Sequence, residues 1–517
     1  MAADLGPVGW ARWAWRQLTS MRVAMLLLLA LAIAAVPGSV FPQRPQDPVA
    51  VAEHLAANPT LGPWLDRLGF YDVYASPWFS AVYILLFTSL VGCILPRMAQ
   101  HWRALRTPPP RTPRRLDRFV GHETVELAAA PQEVLGAAQA VLRGPRRAWP
   151  TYRVLRVEED GAASVSAERG YLRETGNLIF HAALVGVLVC LVVGSFAQYR
   201  GQVVVVQGRG FANSQLAYDT FESGRSFDPA SMVPFHLTLE DFAAEFDPQT
   251  LLARDFAATV RVTEPGRAPR EGVIKVNRPL SAGGSKIYLM GNGYAPEVEV
   301  VDADGELAFA GTVPFLPQDE VYTSQGVIKV PDVSTGPQIG LVGYLLPTGA
   351  EEAEGVWRSV HPQPYDPVLV LSVWTGDLGL DEGLPQNVYR LDESGMTQLA
   401  GPDGTPVTIA LRPGESVELP EGMGTLRFTD LHRFVALDVR HDPTLAFVLT
   451  FALLAMAGLA VSLFTPRRRV WVRATAAPGG AGTVVQVAGL ARGTDPGLET
   501  EVRRVLDEVR ARTEEDR

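Results

Sequence analysis

The sequence predicts a polytopic α-helical membrane protein: four transmembrane helices in a three-plus-one order, a large extracytoplasmic all-β domain and a small cytoplasmic α+β domain. Three observations carry this. Four apolar runs each reach the roughly 20 residues needed to cross the hydrocarbon layer, and their only Asp, Glu, Lys or Arg is Arg22, at the very start of the first. Arginines crowd one set of ends of those runs. Between the third and fourth runs, short β-prone stretches alternate with Gly/Pro turns.

Taken in order, residues 1–20 form a cytoplasmic start, with Trp10, Trp13 and Trp15 placed as interfacial anchors. The first span is 21–40; it is longer than the 7–15-residue apolar core of a cleaved signal peptide. An outer loop, 41–75, leads to the second span, 76–95. Residues 96–176 are cytoplasmic, and the third span is 177–196. The extracytoplasmic domain is 197–442, the fourth span 443–464, and the tail 465–517 is cytoplasmic. Orientation follows the positive-inside rule. Arg12, Arg16 and Arg22 flank the start of span one, and seven arginines from Arg97 to Arg118 follow span two. Arg169 and Arg173 precede span three, and Arg467, Arg468 and Arg469 follow span four. The 41–75 loop sets only Arg44 and Arg67 against four carboxylates. The expected location is the plasma membrane, with both termini in the cytoplasm.

The first cytoplasmic segment opens with the stiff linker Thr107-Pro108-Pro109-Pro110. It reads as a strand at 123–127, a helix at 131–142, and strands at 152–157 and 163–167. The tail adds strands near 470–474 and 483–487 and a helix over 496–512, with Asp495 as its N-cap. Each piece alone is too short for a good core, so the tail is expected to pack against the first segment. In the outer domain, strands are expected near 203–207, 259–263, 273–276, 286–290, 339–345, 368–374, 407–411 and 425–428. The best helix signal there is Leu239–Phe246, which carries Glu240, Asp241 and Glu245, with Asp247 just beyond, as a solvated acidic face.

The 517 residues carry a net charge of −10 and are 47% hydrophobic, with Arg far above Lys but no basic face interleaved with aromatics. A nucleic-acid partner is therefore not indicated. The cysteines, Cys93 and Cys190, both fall inside apolar runs. No disulfide is expected outside, and no C-x-x-C, C-x-x-C-H, H-E-x-x-H or G-x-S-x-G occurs. Gly208-Arg209-Gly210 and Gly291-Asn292-Gly293 lack a third glycine and a following helix; both read as turns rather than phosphate loops.

His181 is the only histidine inside a span, about 6 Å below the inner boundary. An ionisable group there is a functional candidate, and a neutral imidazole is a good ligand for haem iron. The other open reading is an interfacial histidine hydrogen-bonded to a neighbouring helix. His432 and His441 flank the entry to span four, where paired ligation and ordinary surface histidines are both open.

Several motifs taken in order resemble the ResB family of system II cytochrome c biogenesis. They are Leu18-Thr19-Ser20-Met21-Arg22, Tyr74-Ala75-Ser76-Pro77-Trp78-Phe79, and Arg173-Glu174-Thr175-Gly176 leading to His181. The outer domain adds Val276-Asn277-Arg278-Pro279-Leu280 and Tyr288 to Pro296, and His441-Asp442-Pro443 and Arg467-Arg468-Arg469-Val470-Trp471 bracket the last span. The resemblance implies a subunit of a cytochrome c synthase that moves haem b across the membrane and presents apocytochrome c for covalent attachment. It implies a ResC/CcsA-type membrane partner, because no W-G-x-x-W run is present here, and an extracytoplasmic thioredoxin-like reductase. The family's in-membrane histidine maps to His181, with the partner supplying the other axial ligand. The contrasting expectation is a membrane-anchored scaffold whose outer domain only binds apocytochrome c or the reductase.

Overall fold

The computed structural model describes residues 6–46, 48–119, 121–144, 152–159, 162–353, 355–380, 390–402, 404–478 and 482–515. The chain divides into two compact units, residues 1–192 with 444–517, and residues 193–443.

In the first unit, helix α1 (Pro7–Leu18) turns at Thr19 and Ser20 into α2 (Met21–Val40), whose N-cap Ser20 accepts from Val23 N. Short helices α3 (Pro48–Ala57) and α4 (Gly62–Arg67) build the following loop. Arg44 bridges Asp66 and Asp72 there, so the loop's charges neutralise one another. Next come α5 (Pro77–Arg106), α6 (Pro131–Arg143), α7 (Tyr171–Ala197), α8 (Leu445–Phe464) and α9 (Leu498–Glu515). Helices α2, α5, α7 and α8 are long and apolar enough to cross a membrane. Both α5 and α7 outrun the expected spans at their Arg-bearing ends, because polar residues there continue the helix.

Two close approaches set the bundle. A Cβ on Gly92 of α5 would overlap Thr19 at the α1–α2 corner, while Gly176 of α7 and Gly458 of α8 face each other's backbones. Glycines of this kind let helices cross tightly where lipid supplies no hydrophobic drive.

The segment between α5 and α7 and the tail together make one five-stranded antiparallel sheet, in the order 123–127, 483–491, 468–476, 162–169, 153–159. Helices α6 and α9 cover one face, burying Leu135, Val141, Val472, Val487, Val502 and Val505. The period-two alternation sends Trp471 and Ala488 to the other face, against Leu116 and Phe119 from the segment after the proline linker. The tail and the first segment thus share one core, as expected. Helix α9 starts two residues later than expected. Asp495 is not its N-cap: its carboxylate accepts from Gly497 N and is held by Arg468 at 2.6 and 2.7 Å.

The second unit is all β, apart from short 3₁₀ turns, among the described residues. Its spine is a pair of seventeen-residue antiparallel strands, Ser285–Val301 and Thr425–His441. One end packs against the six-stranded sheet built around 324–330, 338–346 and 368–376, burying Val298, Phe428, Leu341 and Leu371. The other end packs against the four-stranded sheet of 210–212, 236–246, 253–263 and 270–275, burying Leu437, Val439, Leu237 and Val260. Two sandwiches therefore share one long sheet.

Two expectations fail here. Leu239–Phe246 lies in the strand His236–Phe246, not in a helix. A bulge between Leu239 and Asp241 puts Leu239 and Phe242 in the same core; that three-residue spacing imitated a helical face. Glu240 and Asp241 consequently pair separately, with Arg261 and Gln207. Gly291-Asn292-Gly293 is strand and not turn: a bulge falls at Met290, and a Cβ on Gly293 would sit 2.6 Å from the Phe434 ring.

Candidate functional site

Helices α2, α5 and α7 line an open-sided cavity of about 540 Å³, within the range of small-molecule sites. Helix α2 contributes Met21, Ala24, Met25, Leu28 and Leu31. Helix α5 contributes Leu86, Leu90, Cys93, Ile94 and Arg97, and α7 contributes Asn177, Phe180, His181, Leu184 and Leu188 among others. The eleven steps along α7 from Asn177 to Leu188 make the cavity about 16 Å tall at 1.5 Å per residue. The corner before α2 is tied to α5 by Cys93 Sγ, which donates to Thr19 O at 2.8 Å, and by Ser89, which donates to Leu18 O.

His181 lines this cavity. Its Nδ1 lies 2.8 Å from the carbonyl oxygen of Asn177, one turn back on its own helix. A carbonyl only accepts, so the proton sits on Nδ1 and Nε2 presents a lone pair. Nε2 has no protein partner among the described residues, and the expected bond to a neighbouring helix is not found. An unpaired nitrogen facing an apolar cavity is costly, and it is the state in which imidazole binds a metal. A metal-bound histidine commonly donates its second N–H to a carbonyl, which fixes the ring and raises its basicity. The cavity's volume and mostly apolar lining suit a flat apolar ligand. The residues present fit haem: one neutral nitrogen, apolar walls and a single cation.

His432 and His441 both lie on the strand Thr425–His441. Nine residues at about 3.3 Å each separate them by about 30 Å, so they cannot share one iron. His432 Nε2 lies 3.1 Å from Glu297 Oε2. His441 stacks on Tyr199 with ring centroids 5.3 Å apart, and its Nδ1 donates to Gly284 O at 3.1 Å. No cluster of three or more His, Cys, Asp or Glu that could hold a metal ion occurs among the described residues.

In the sequence Arg97 is only a flanking charge, and nothing marks His101. The structure puts Arg97 in the cavity wall and sets His101 Nε2 2.9 Å from Thr175 Oγ1, joining α5 to α7. The continuation of α5 through Pro96 was the available signal, because it carries both residues onto a helix facing α7.

Below the cavity, α7 and the sheet share buried charge. Glu168 is only 2% exposed and takes Arg467 at 2.8 Å, Arg469 at 3.0 Å and the Tyr171 hydroxyl at 3.1 Å. Burial drives the Tyr152 hydroxyl far above its ordinary value, and it donates to Glu501 at 2.9 Å.

Comparison with known proteins agrees with this architecture. "Cytochrome c biogenesis protein CcsB" of Synechococcus sp. (strain CC9311) is 26% identical over 501 residues, covering 95% of this chain and 97% of that protein. The protein of the same name from Synechococcus sp. (strain WH7803) is 26% identical over 465 residues, covering 88% and 89%. That from Thermosynechococcus vestitus is 25% identical over 468 residues, covering 88% and 87%. The model of the ResB-like family matches residues 21–503. With the four long apolar helices and the β unit all falling inside that match, the chain belongs to the ResB-like family.

Proposed function

We propose that this chain is a subunit of a system II cytochrome c synthase that moves haem across the membrane and presents apocytochrome c for covalent attachment. The name carried by its relatives supports a role in cytochrome c biogenesis. The observation that carries the finer reading is His181 Nε2, unpaired in an apolar cavity among three helices. Haem is the cargo. His181 offers one axial ligand, and a CcsA-type partner supplies the other. The bond from Nδ1–H to Asn177 O holds the ring in the tautomer that coordinates, and the apolar walls exclude water from the iron. The flanking arginines support cytoplasmic termini, which puts the cavity's Arg97 end toward the cytoplasm and the β unit outside. There the β unit holds apocytochrome c, and a thioredoxin-like reductase keeps its thiols available for thioether formation.

The test is to purify the chain with its partner, with and without His181→Ala, and record haem absorbance. Loss of most of the haem in the variant is expected. Equal absorbance would remove the ligand role and leave the membrane-anchored scaffold. Deleting residues 197–442 should abolish c-type haem staining; normal staining would overturn the role of the outer domain.

A further inference from the structure

Arg97 is the only charged residue lining the cavity. It belongs to the run of arginines that marks one end of the bundle, and such residues ordinarily extend into the water at the membrane surface. Arg97 does not follow that pattern. Its guanidinium Nη2 lies 2.9 Å from the thioether sulfur of Met21 on α2. It forms no ion pair with a carboxylate among the described residues. In α5 the Cα–Cβ bonds tilt toward Pro77, so the side chain leaves its backbone toward the cavity interior.

Its depth can be set against His181. Helices α5 and α7 run antiparallel, since His101 meets Thr175 and Tyr83 donates to Leu188 O. Arg97 is four residues above His101, and His181 is six residues above Thr175. At 1.5 Å per residue the two Cα atoms differ in depth by about 3 Å. One wall thus carries a metal-binding nitrogen and another carries an unpaired cation near the same level. Leu28, Leu31, Leu86 and Leu188 line the rest of the height. The chemistry that matches is a planar apolar molecule with a metal at its centre and a carboxylate on one edge.

We propose that Arg97 is the positioning residue for the haem cargo, pairing with a propionate carboxylate while His181 takes the iron. The proposal rests on the haem reading of His181. It gives the cargo a direction: the propionate edge lies at the Arg97 end, and the apolar edge points along the bundle toward Leu31 and Leu188. Met21, which touches the guanidinium, is the group the carboxylate displaces. Arginine suits the task because it stays charged in an apolar site and its planar fork matches a carboxylate.

The test uses the chain purified with its partner, titrated with haem and with haem dimethyl ester, in which both propionates are capped. A charge-assisted hydrogen bond lost from such a site weakens binding by roughly tenfold or more. Arg97→Gln should therefore weaken haem by about that factor and leave the ester unchanged, while Arg97→Lys keeps part of the haem affinity. Equal weakening of both ligands, or of neither, overturns the proposal. So does an anionic lipid that copurifies in an Arg97-dependent way while haem binding ignores Arg97. If wild type holds both ligands through His181 with no dependence on Arg97, only the clamp fails. If wild type holds neither ligand, the haem reading itself fails.

Discussion

The cavity among α2, α5 and α7 and the strand pair Ser285–Val301 with Thr425–His441 both carry histidines, and they treat them differently. At the cavity, the histidine's own helix takes one nitrogen and apolar walls leave the other open. On the strands, Glu297 occupies His432 Nε2, and His441 is stacked flat on Tyr199. Nitrogen occupancy sets His432 apart, whereas His441, like His181, gives Nδ1 to a backbone carbonyl and differs in its surroundings, a Tyr199 ring rather than an apolar cavity.

That contrast is broken most directly at His181. His181→Ala should lose most of the haem copurifying with the complex, while His432→Ala keeps wild-type absorbance; a loss at His432 as large as at His181 would erase the distinction.

The next effect concerns how each region buries charge. Glu168→Ala strands Arg467 and Arg469 beside a closed core, at a cost of about 4 kcal/mol. The change should appear in denaturant unfolding of the α+β unit followed by Trp471 fluorescence. Leu437→Ala, in the β unit, leaves a cavity costing about 3 kcal/mol. Unfolding of the β unit should shift while the haem copurifying with the complex stays, and a parallel loss of haem would show that the two regions do not act independently.

The smallest effect is set by pH. The Ser334 N–H and hydroxyl, followed by the N–H groups of Glu306 and Asp304, hold the Asp302 carboxylate at about 2. Because the folded value lies below the unfolded one, the contribution is complete above about pH 4 and fades as pH falls toward 2. Asp302→Asn should flatten the stability curve of the β unit across that window, by lowering stability above about pH 4 and converging with wild type near pH 2. An unaltered acid limb would refute it.

Much of this was legible in the residues. Charge is too costly in lipid for the spans to be hidden, and the strands 123–127 and 483–487 announced themselves by alternation. The segments around His236–Phe246 and Gly291–Gly293 did not, because a bulge changes the local period and a glycine inside a strand looks like a turn. Asp495 looked like a helix cap because nothing in its neighbourhood reveals Arg468, twenty-seven residues earlier.

By itself, the chain's order of residues determined the four apolar helices, the joining of the tail to the segment between α5 and α7, and His181 as the one histidine within an apolar run. Each depends on local composition or period, which a single stretch of chain carries whole. Only the tertiary structure decided that His181 Nε2 is free, that Arg97 stands near it in the wall, and that two seventeen-residue strands unite two sandwiches. Those facts depend on which distant groups meet, and a hydrogen bond or a cavity wall exists only once they do.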